Sequence, residues 1–280
     1  MKIIIGINAY HADSSACIIV NNKVVAAIEE ERINRKKHFS GFPTESIREC
    51  LNIAKIKDLE VTDIAFNTRP LSNIISKGVF FLKNYNLKNY NSISRYRKKL
   101  NIKSYLSKDF KFKKNIKIHY IEHHLAHIAS AYFPSNYKDA IGLSIDGSGD
   151  FVTLAIAKCH NHNIKITEKV FFPNSLGIFY HAMTQFLGFK NYGDEYKIMG
   201  MAAYGEPKYF NKIKDNLFKL NKNENFELNL HYFNHQKSNF KYVADENLII
   251  DDLFNENLSR LFVNELSKDH DQEQFKKDFA

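Results

Sequence analysis

Residues 2–29 read Lys2-Ile3-Ile4-Ile5-Gly6-Ile7-Asn8-Ala9-Tyr10-His11-Ala12-Asp13-Ser14-Ser15-Ala16-Cys17-Ile18-Ile19-Val20-Asn21-Asn22-Lys23-Val24-Val25-Ala26-Ala27-Ile28-Glu29. Residues 2–8 and 16–20 are runs rich in β-branched side chains, separated by the polar loop Ala9 to Ser15. Residues 23–29 resume after Asn21-Asn22, a dipeptide suited to a tight hairpin turn, so the stretch predicts a three-strand meander. A second stretch repeats that order. Ala140 to Ile145 is an apolar strand, Asp146-Gly147-Ser148-Gly149-Asp150 a tight acidic loop, Phe151 to Lys158 a strand, His160 to Asn163 a turn, and Lys165 to Phe172 a strand. Strand, polar loop, strand, turn, strand occurring twice in unlike residues is an internal-repeat signal.

Between the meanders, Pro43 with Thr44 and Glu45 starts a helix expected to run to Lys55. A strand follows at Asp63 to Asn67, then a basic insertion at about 72–117, a strand at Ile116 to Ile121, and a helix carrying Glu122-His123-His124-Leu125-Ala126-His127. After the second meander, Ser175 to Phe189 has a helical apolar stripe of Leu176, Phe179, Met183, Phe186 and Leu187. Asn221 to Asn257 is polar and irregular, and Leu258 to Ala280 regains helical periodicity. Two lobes are expected, about 1–135 and about 136–280.

The chain has 280 residues, 44% of them hydrophobic, enough to bury a sizeable core. The apolar run at the start is shorter than a signal-peptide core and reads as a strand, and no stretch reaches transmembrane length. Cys17, Cys50 and Cys159 are widely spaced and odd in number, which argues against a disulfide framework or a Cys-rich zinc site and fits a reducing cytoplasm. The net charge of +9 is concentrated. Between Ser72 and Lys117 there are thirteen Lys and Arg against Asp109 alone, interleaved with Tyr85, Tyr90, Tyr96 and Tyr105. Such a segment can attract nucleic acid, anionic lipid or a phosphorylated substrate, or it can be a solvated, partly helical insertion.

Four places carry chemistry. His123 and His127 sit one helical turn apart, a spacing that lets two imidazoles hold one metal ion; capping and packing are the alternatives. Asp146 with Gly147 and Gly149 follows an apolar strand, where backbone N–H groups can approach a phosphate, although an ordinary turn has the same composition. His11 lies in the corresponding loop of the first meander as a candidate general base. Glu29-Glu30-Glu31-Arg32 and Arg35-Lys36-Lys37-His38 read mostly as surface ion pairing, with a lysine near Gly41-Phe42-Pro43 able to meet an anionic leaving group. Glycine and alanine density at Gly193 to Gly205 suggests backbone approaching a ligand, or close helix packing.

Together, His11 to Ala16, Glu29 to Arg32 with Lys37-His38, Glu122 to Ala131, Asp146 to Asp150, Ser175-Leu176-Gly177 and Glu195 to Gly205 resemble the carbamoyltransferase family of nodulation-factor and aminoglycoside-antibiotic O-carbamoyltransferases. The resemblance implies an α/β chain with the duplicated, actin-like ATPase (ribonuclease H-like) fold, its carboxy-terminal part missing and the family's YrdC-like domain absent. It implies carbamoyl phosphate and ATP combining to carbamoyl-adenylate in that second domain, and transfer of the carbamoyl group in the actin-like domain to a hydroxyl of a sugar or natural-product acceptor. By the same resemblance His123 and His127 are ligands of iron or another divalent metal, His11 a base on the acceptor hydroxyl, Lys37 an anion contact, and Asp146, Gly147, Gly149, Lys197 and Gly200 nucleotide contacts. A separate chain supplying the missing domain is an expected partner, and nucleic acid is not. The alternatives are a tRNA threonylcarbamoyl transferase-like enzyme, which gives the basic insertion a role, and a non-catalytic truncated binding or regulatory module.

Overall fold

A computed structural model describes residues 1–83, 97–220, 226–237, 240–242, 248–267 and 271–280. Tyr85, Tyr90 and Tyr96 of the basic segment lie outside the described residues. The chain divides into two compact units, 1–136 with 240–249, and 137–239 with 250–280. Among the described residues no helix is long and apolar enough to cross a membrane.

The first unit is built on a mixed five-stranded sheet in the order β3-β2-β1-β4-β5. Its strands are β1 (Ile3–Asn8), β2 (Ser15–Val20), β3 (Lys23–Glu29), β4 (Asp63–Phe66) and β5 (Lys117–Tyr120). β1 buries Ile3, Ile5 and Ile7 on one face, as the two-residue period of a strand requires. It pairs antiparallel with β2 and parallel with β4, and β4 pairs parallel with β5. The parallel trio therefore ends together, bringing the loops after Asn8, Phe66 and Tyr120 to one edge. Asn67 Nδ2 donates to Asn8 Oδ1 at 3.0 Å, and the Ile121 amide donates to the Phe66 carbonyl at 2.8 Å. Asn21 and Asn22 both take positive φ, 47° and 66°, forming the expected two-residue hairpin turn.

Helices that accompany that sheet include α1 (Glu30–Asn34), α2 (Thr44–Ala54), α3 (Ile74–Lys83), α4 (Ile102–Asp109) and α5 (His123–Tyr132). The acidic run before α2 is not merely surface pairing. Glu30 is buried, and its carboxylate accepts from the Glu45 and Ser46 amides at 3.1 and 2.7 Å. It thus caps α2, whose N-cap residue Pro43 makes no side-chain cap bond. The basic segment also differs from a purely solvated insertion, because Ile102 and Leu106 of α4 and the following Phe110 join the core of this unit.

The second unit carries a three-stranded antiparallel sheet, β6 (Asp139–Gly149), β7 (Val152–His160) and β8 (Asn163–Phe171). Asp146 to Gly149 is not a free loop. β6 runs through it with a register irregularity between Ile145 and Gly149, and the turn falls at Asp150 and Phe151, both at positive φ. The sheet is followed by α6 (Leu176–Phe186), α7 (Glu195–Ala202) and α8 (Phe210–Leu217). The expected irregular stretch contains short paired strands, β9 (Phe218–Leu220) with β10 (Phe226–Leu228), and β11 (Phe240–Tyr242) with β12 (Leu248–Ile250), residues 240–249 of the latter pair belonging to the first unit. The final helical stretch is two helices, α9 (Glu256–Leu261) and α10 (Gln272–Phe279). Phe186, Tyr209, Phe262, Phe275 and Phe279 pack ring against ring in this unit. Gly205 is required there: a Cβ would stand 1.9 Å from the Lys277 carbonyl oxygen. Close packing is thus one source of the glycine density in Gly193 to Gly205.

Candidate functional site

The loop after β1 holds His11 in place through its neighbours. Asn8 Nδ2 donates to the Ala12 and Asp13 carbonyls at 3.3 and 2.9 Å, and Ser14 Oγ donates to the His11 and Gly41 carbonyls at 3.2 and 2.8 Å. Tyr10 and Asp13 adopt positive φ, 58° and 59°, so the chain turns sharply on both sides of His11. The His11 ring lies 5.0 Å from that of His123, centroid to centroid.

His123 opens α5, directly after the Glu122 N-cap, whose carboxylate accepts from the Leu125 amide at 3.0 Å. Ile128 and Tyr132 bury the opposite side of the helix, as its apolar spacing predicts, and Leu125 is half-buried. His123 Nδ1 is 3.3 Å from the Asn67 carbonyl. A carbonyl only accepts, so Nδ1 carries the hydrogen and the neutral ring presents its lone pair at Nε2. That atom is 2.9 Å from Nε2 of His127. Two imidazoles can share one hydrogen at this distance, and the same separation matches two adjacent ligands of a single ion with bonds of about 2.1 Å. His124, passed over by the spacing argument, is fully buried beside them.

Another histidine in this unit gains a partner that sequence distance conceals. His38 Nδ1 is 2.9 Å from Asp13 Oδ1, and the His38 amide donates to Glu31 Oε2 at 2.9 Å. Potential ligand atoms of Asp13, Glu31 and His38 all lie within 4.8 Å of one another. Lys37 beside them is exposed and makes no hydrogen bond or ion pair among the described residues.

In the second unit the chemistry gathers where α6 meets β6. Ser175 is fully buried; its Oγ donates toward the Asp146 and Gly147 carbonyls at 3.1 and 2.7 Å and accepts from the Ile178 amide at 3.0 Å. A Cβ on Gly177 would stand 2.6 Å from the Gly147 nitrogen, so only glycine lets α6 start this close to the Asp146–Gly147 peptide. Gly147 donates its amide to Asp146 Oδ1 at 2.6 Å, and Gly149 is buried in β6. In α7, Lys197 is committed to Asp194 at 2.7 Å, and that bond holds the Asp194 carboxyl below its ordinary range and the lysine above its own. Gly200 is exposed, with nothing within 4 Å of a Cβ placed there. His181, buried on α6, places Nδ1 2.5 Å from Glu195 Oε1. Burial works to raise the Glu195 carboxyl, but the His181 bond and a backbone bond outweigh it and leave the group below its usual range.

The family described as "Carbamoyltransferase N-terminus" matches residues 3–276. An uncharacterized protein, sll1178 of Synechocystis, is 38% identical over 84% of this chain and 40% of its own length. Nodulation protein NolNO of Sinorhizobium fredii is 28% identical over 80% of this chain and 32% of its own. The chain therefore spans about a third to two fifths of these curated relatives. Among solved structures, YeaZ from Pseudomonas aeruginosa is a slight likeness: 9% identity, TM-score 0.35, covering 62% of this chain and 68% of that one.

Proposed function

The chain belongs to the carbamoyltransferase family, and from that premise we propose that it is the amino-terminal, acceptor-side part of an O-carbamoyltransferase that moves a carbamoyl group onto a hydroxyl of a sugar or natural product. The observation that carries this reading is the grouping of His11, His123 and His127 at the edge where the parallel strands end, the position where open α/β sheets bind ligands. His123 and His127 would hold a divalent ion of the iron type, which supplies Lewis acidity toward the carbamoyl oxygen. The Asn67 carbonyl keeps the His123 ring turned so that Nε2 stays a lone-pair donor. An imidazole nitrogen of His11 accepts the proton of the acceptor hydroxyl as that oxygen attacks. Exposed Lys37 meets the anionic adenylate leaving group.

The second unit takes the nucleotide in this reading, through Asp146, Gly147 and Gly149 on β6 and Lys197 and Gly200 on α7. We read the two units as the duplicated lobes of an actin-like fold. Two meanders support this, as does β6, which pairs with no strand on its outer side among the described residues and exposes Ile141, Leu143 and Ile145. Carbamoyl-adenylate is then formed from ATP and carbamoyl phosphate in a further, YrdC-like domain. Free Cys17, Cys50 and Cys159 suit a reducing cytoplasm.

The test has two readouts. Ferrous ion binding by the purified chain, followed by metal analysis after desalting, should fall sharply in His123→Ala and His127→Ala. The chain alone should turn over carbamoyl phosphate and ATP poorly, with carbamoylation appearing when a separately expressed YrdC-like domain is added. Metal retention unchanged in both variants would remove the basis of the reading, and robust carbamoylation by the isolated chain would overturn the division of labour.

A further inference from the structure

Helix α3 turns an aliphatic face outward. Leu71, just before it, and Ile74, Ile75, Val79 and Leu82 are 61%, 59%, 84%, 47% and 79% exposed. Their spacing puts them on one helical face. Ser72, Asn73, Ser76, Lys77 and Phe80 are the partly buried positions, and Lys77 Nζ donates to the Pro70 carbonyl at 2.8 Å. The aliphatic side therefore faces outward, and the opposite side carries Phe80 among polar residues. Among the described residues, none of α3 belongs to the core of the first unit.

The stripe sits in the most basic segment of the protein. From Ser72 to Lys117 there are thirteen Lys and Arg and one acid, and Lys103, Lys108, Lys111, Lys113, Lys114 and Lys117 are all exposed. A partner for this segment must accept aliphatic side chains and carry negative charge at high density. A nucleic acid meets the second requirement but offers nothing to five clustered Leu, Ile and Val side chains. An ordinary protein surface meets the first without accounting for a thirteen-to-one excess of cations. An anionic bilayer meets both, with acyl chains for the stripe and phospholipid headgroups for the lysines.

We propose that α3 is an interfacial anchor that seats this protein on an anionic membrane surface, with Leu71, Ile74, Ile75, Val79 and Leu82 entering the headgroup–acyl boundary. The inference does not depend on the carbamoyl-transfer reading.

Co-sedimentation with vesicles tests it, comparing phosphatidylcholine alone with equal parts phosphatidylcholine and phosphatidylglycerol. The expected result is binding to the anionic vesicles only, weakened by added salt, and reduced about tenfold or more in Ile75→Glu/Leu82→Glu. Both positions are exposed, so the variant should keep the parent's thermal unfolding midpoint, which is measured alongside. Absence of vesicle binding by the parent, or equal binding by the double variant, overturns the proposal. So does either of two other outcomes: tight, salt-sensitive oligonucleotide binding in place of vesicle binding, or self-association that the double variant abolishes while vesicles are ignored.

Discussion

Protonation of His235 should destabilise the second unit in mild acid. The ring is 1% exposed and lies beside Phe172 and Phe233, at centroid distances of 5.6 and 5.8 Å. Its Nε2–H donates to the Pro173 carbonyl at 2.8 Å, and Nδ1 has no hydrogen-bond partner among the described residues. Charging the ring places a cation and an unmet N–H donor among phenyl groups. Burial pushes its pKa down from 6.5 to about 4, against the smaller upward pull of the Pro173 bond. Because the unfolded chain binds this proton first, the contribution to stability is complete above about pH 6.5 and is lost as pH falls toward 4. A displacement of that size corresponds to about 3 kcal/mol over the whole window and about 2 kcal/mol by pH 5. Urea unfolding at pH 7, 6 and 5 measures it, with His235→Gln as a partner that keeps an N–H donor but cannot titrate. The parent should lose about 2 kcal/mol more than the variant between pH 7 and 5. Equal slopes for the two proteins would refute the buried, neutral imidazole.

Gly177→Ala should destabilise the protein by about 1–3 kcal/mol in the same unfolding assay, since its Cβ meets the Gly147 backbone rather than a movable side chain. Gly200→Ala adds a Cβ in open space on a helix and should stabilise by about 0.5–1 kcal/mol. If the nucleotide passes over α7, the same variant should weaken ATP binding, and a variant that gains stability with unchanged ATP affinity removes Gly200 from that site. Lys37→Ala should leave thermal unfolding unchanged, because the side chain is exposed and makes no hydrogen bond or ion pair among the described residues, while lowering carbamoyl transfer in the reconstituted enzyme. Asp278 should govern stability in strong acid. Bonds from Lys208, the Glu206 amide and Gln274 hold its carboxyl near 2, so this contribution is present above the ordinary carboxylate range and is lost as pH falls toward 2. Unfolding of Asp278→Asn across that range should lack the acid limb.

Local pattern alone identified both meanders, because strand alternation and Asn-rich turns are properties of neighbouring residues. The Asn21–Asn22 hairpin and the buried face of β1 follow from that rule. The helical spacing of His123 and His127 was legible for the same reason, and their nitrogens do meet. Glu30 is the exception in a run read mostly as surface ion pairing, because its two hydrogen-bond donors belong to a helix fifteen and sixteen residues away. The Asp146–Asp150 segment was misplaced because glycines and aspartates signal a turn, whereas β6 extends to Gly149, where pairing with β7 resumes at Val152 after an irregularity.

Sequence by itself determined the chemistry available to this protein: which histidines stand one turn apart, where the glycines fall, and that one segment is overwhelmingly basic. Tertiary structure alone decided which groups meet. It joined Asp13 to His38 across twenty-five residues, turned His123 toward Asn67, and made Gly177 and Gly205 matters of backbone contact. It also turned the aliphatic side of α3 outward. The physical reason is that periodicity specifies a face of an element, while the surroundings of that face are set by chain distant in sequence.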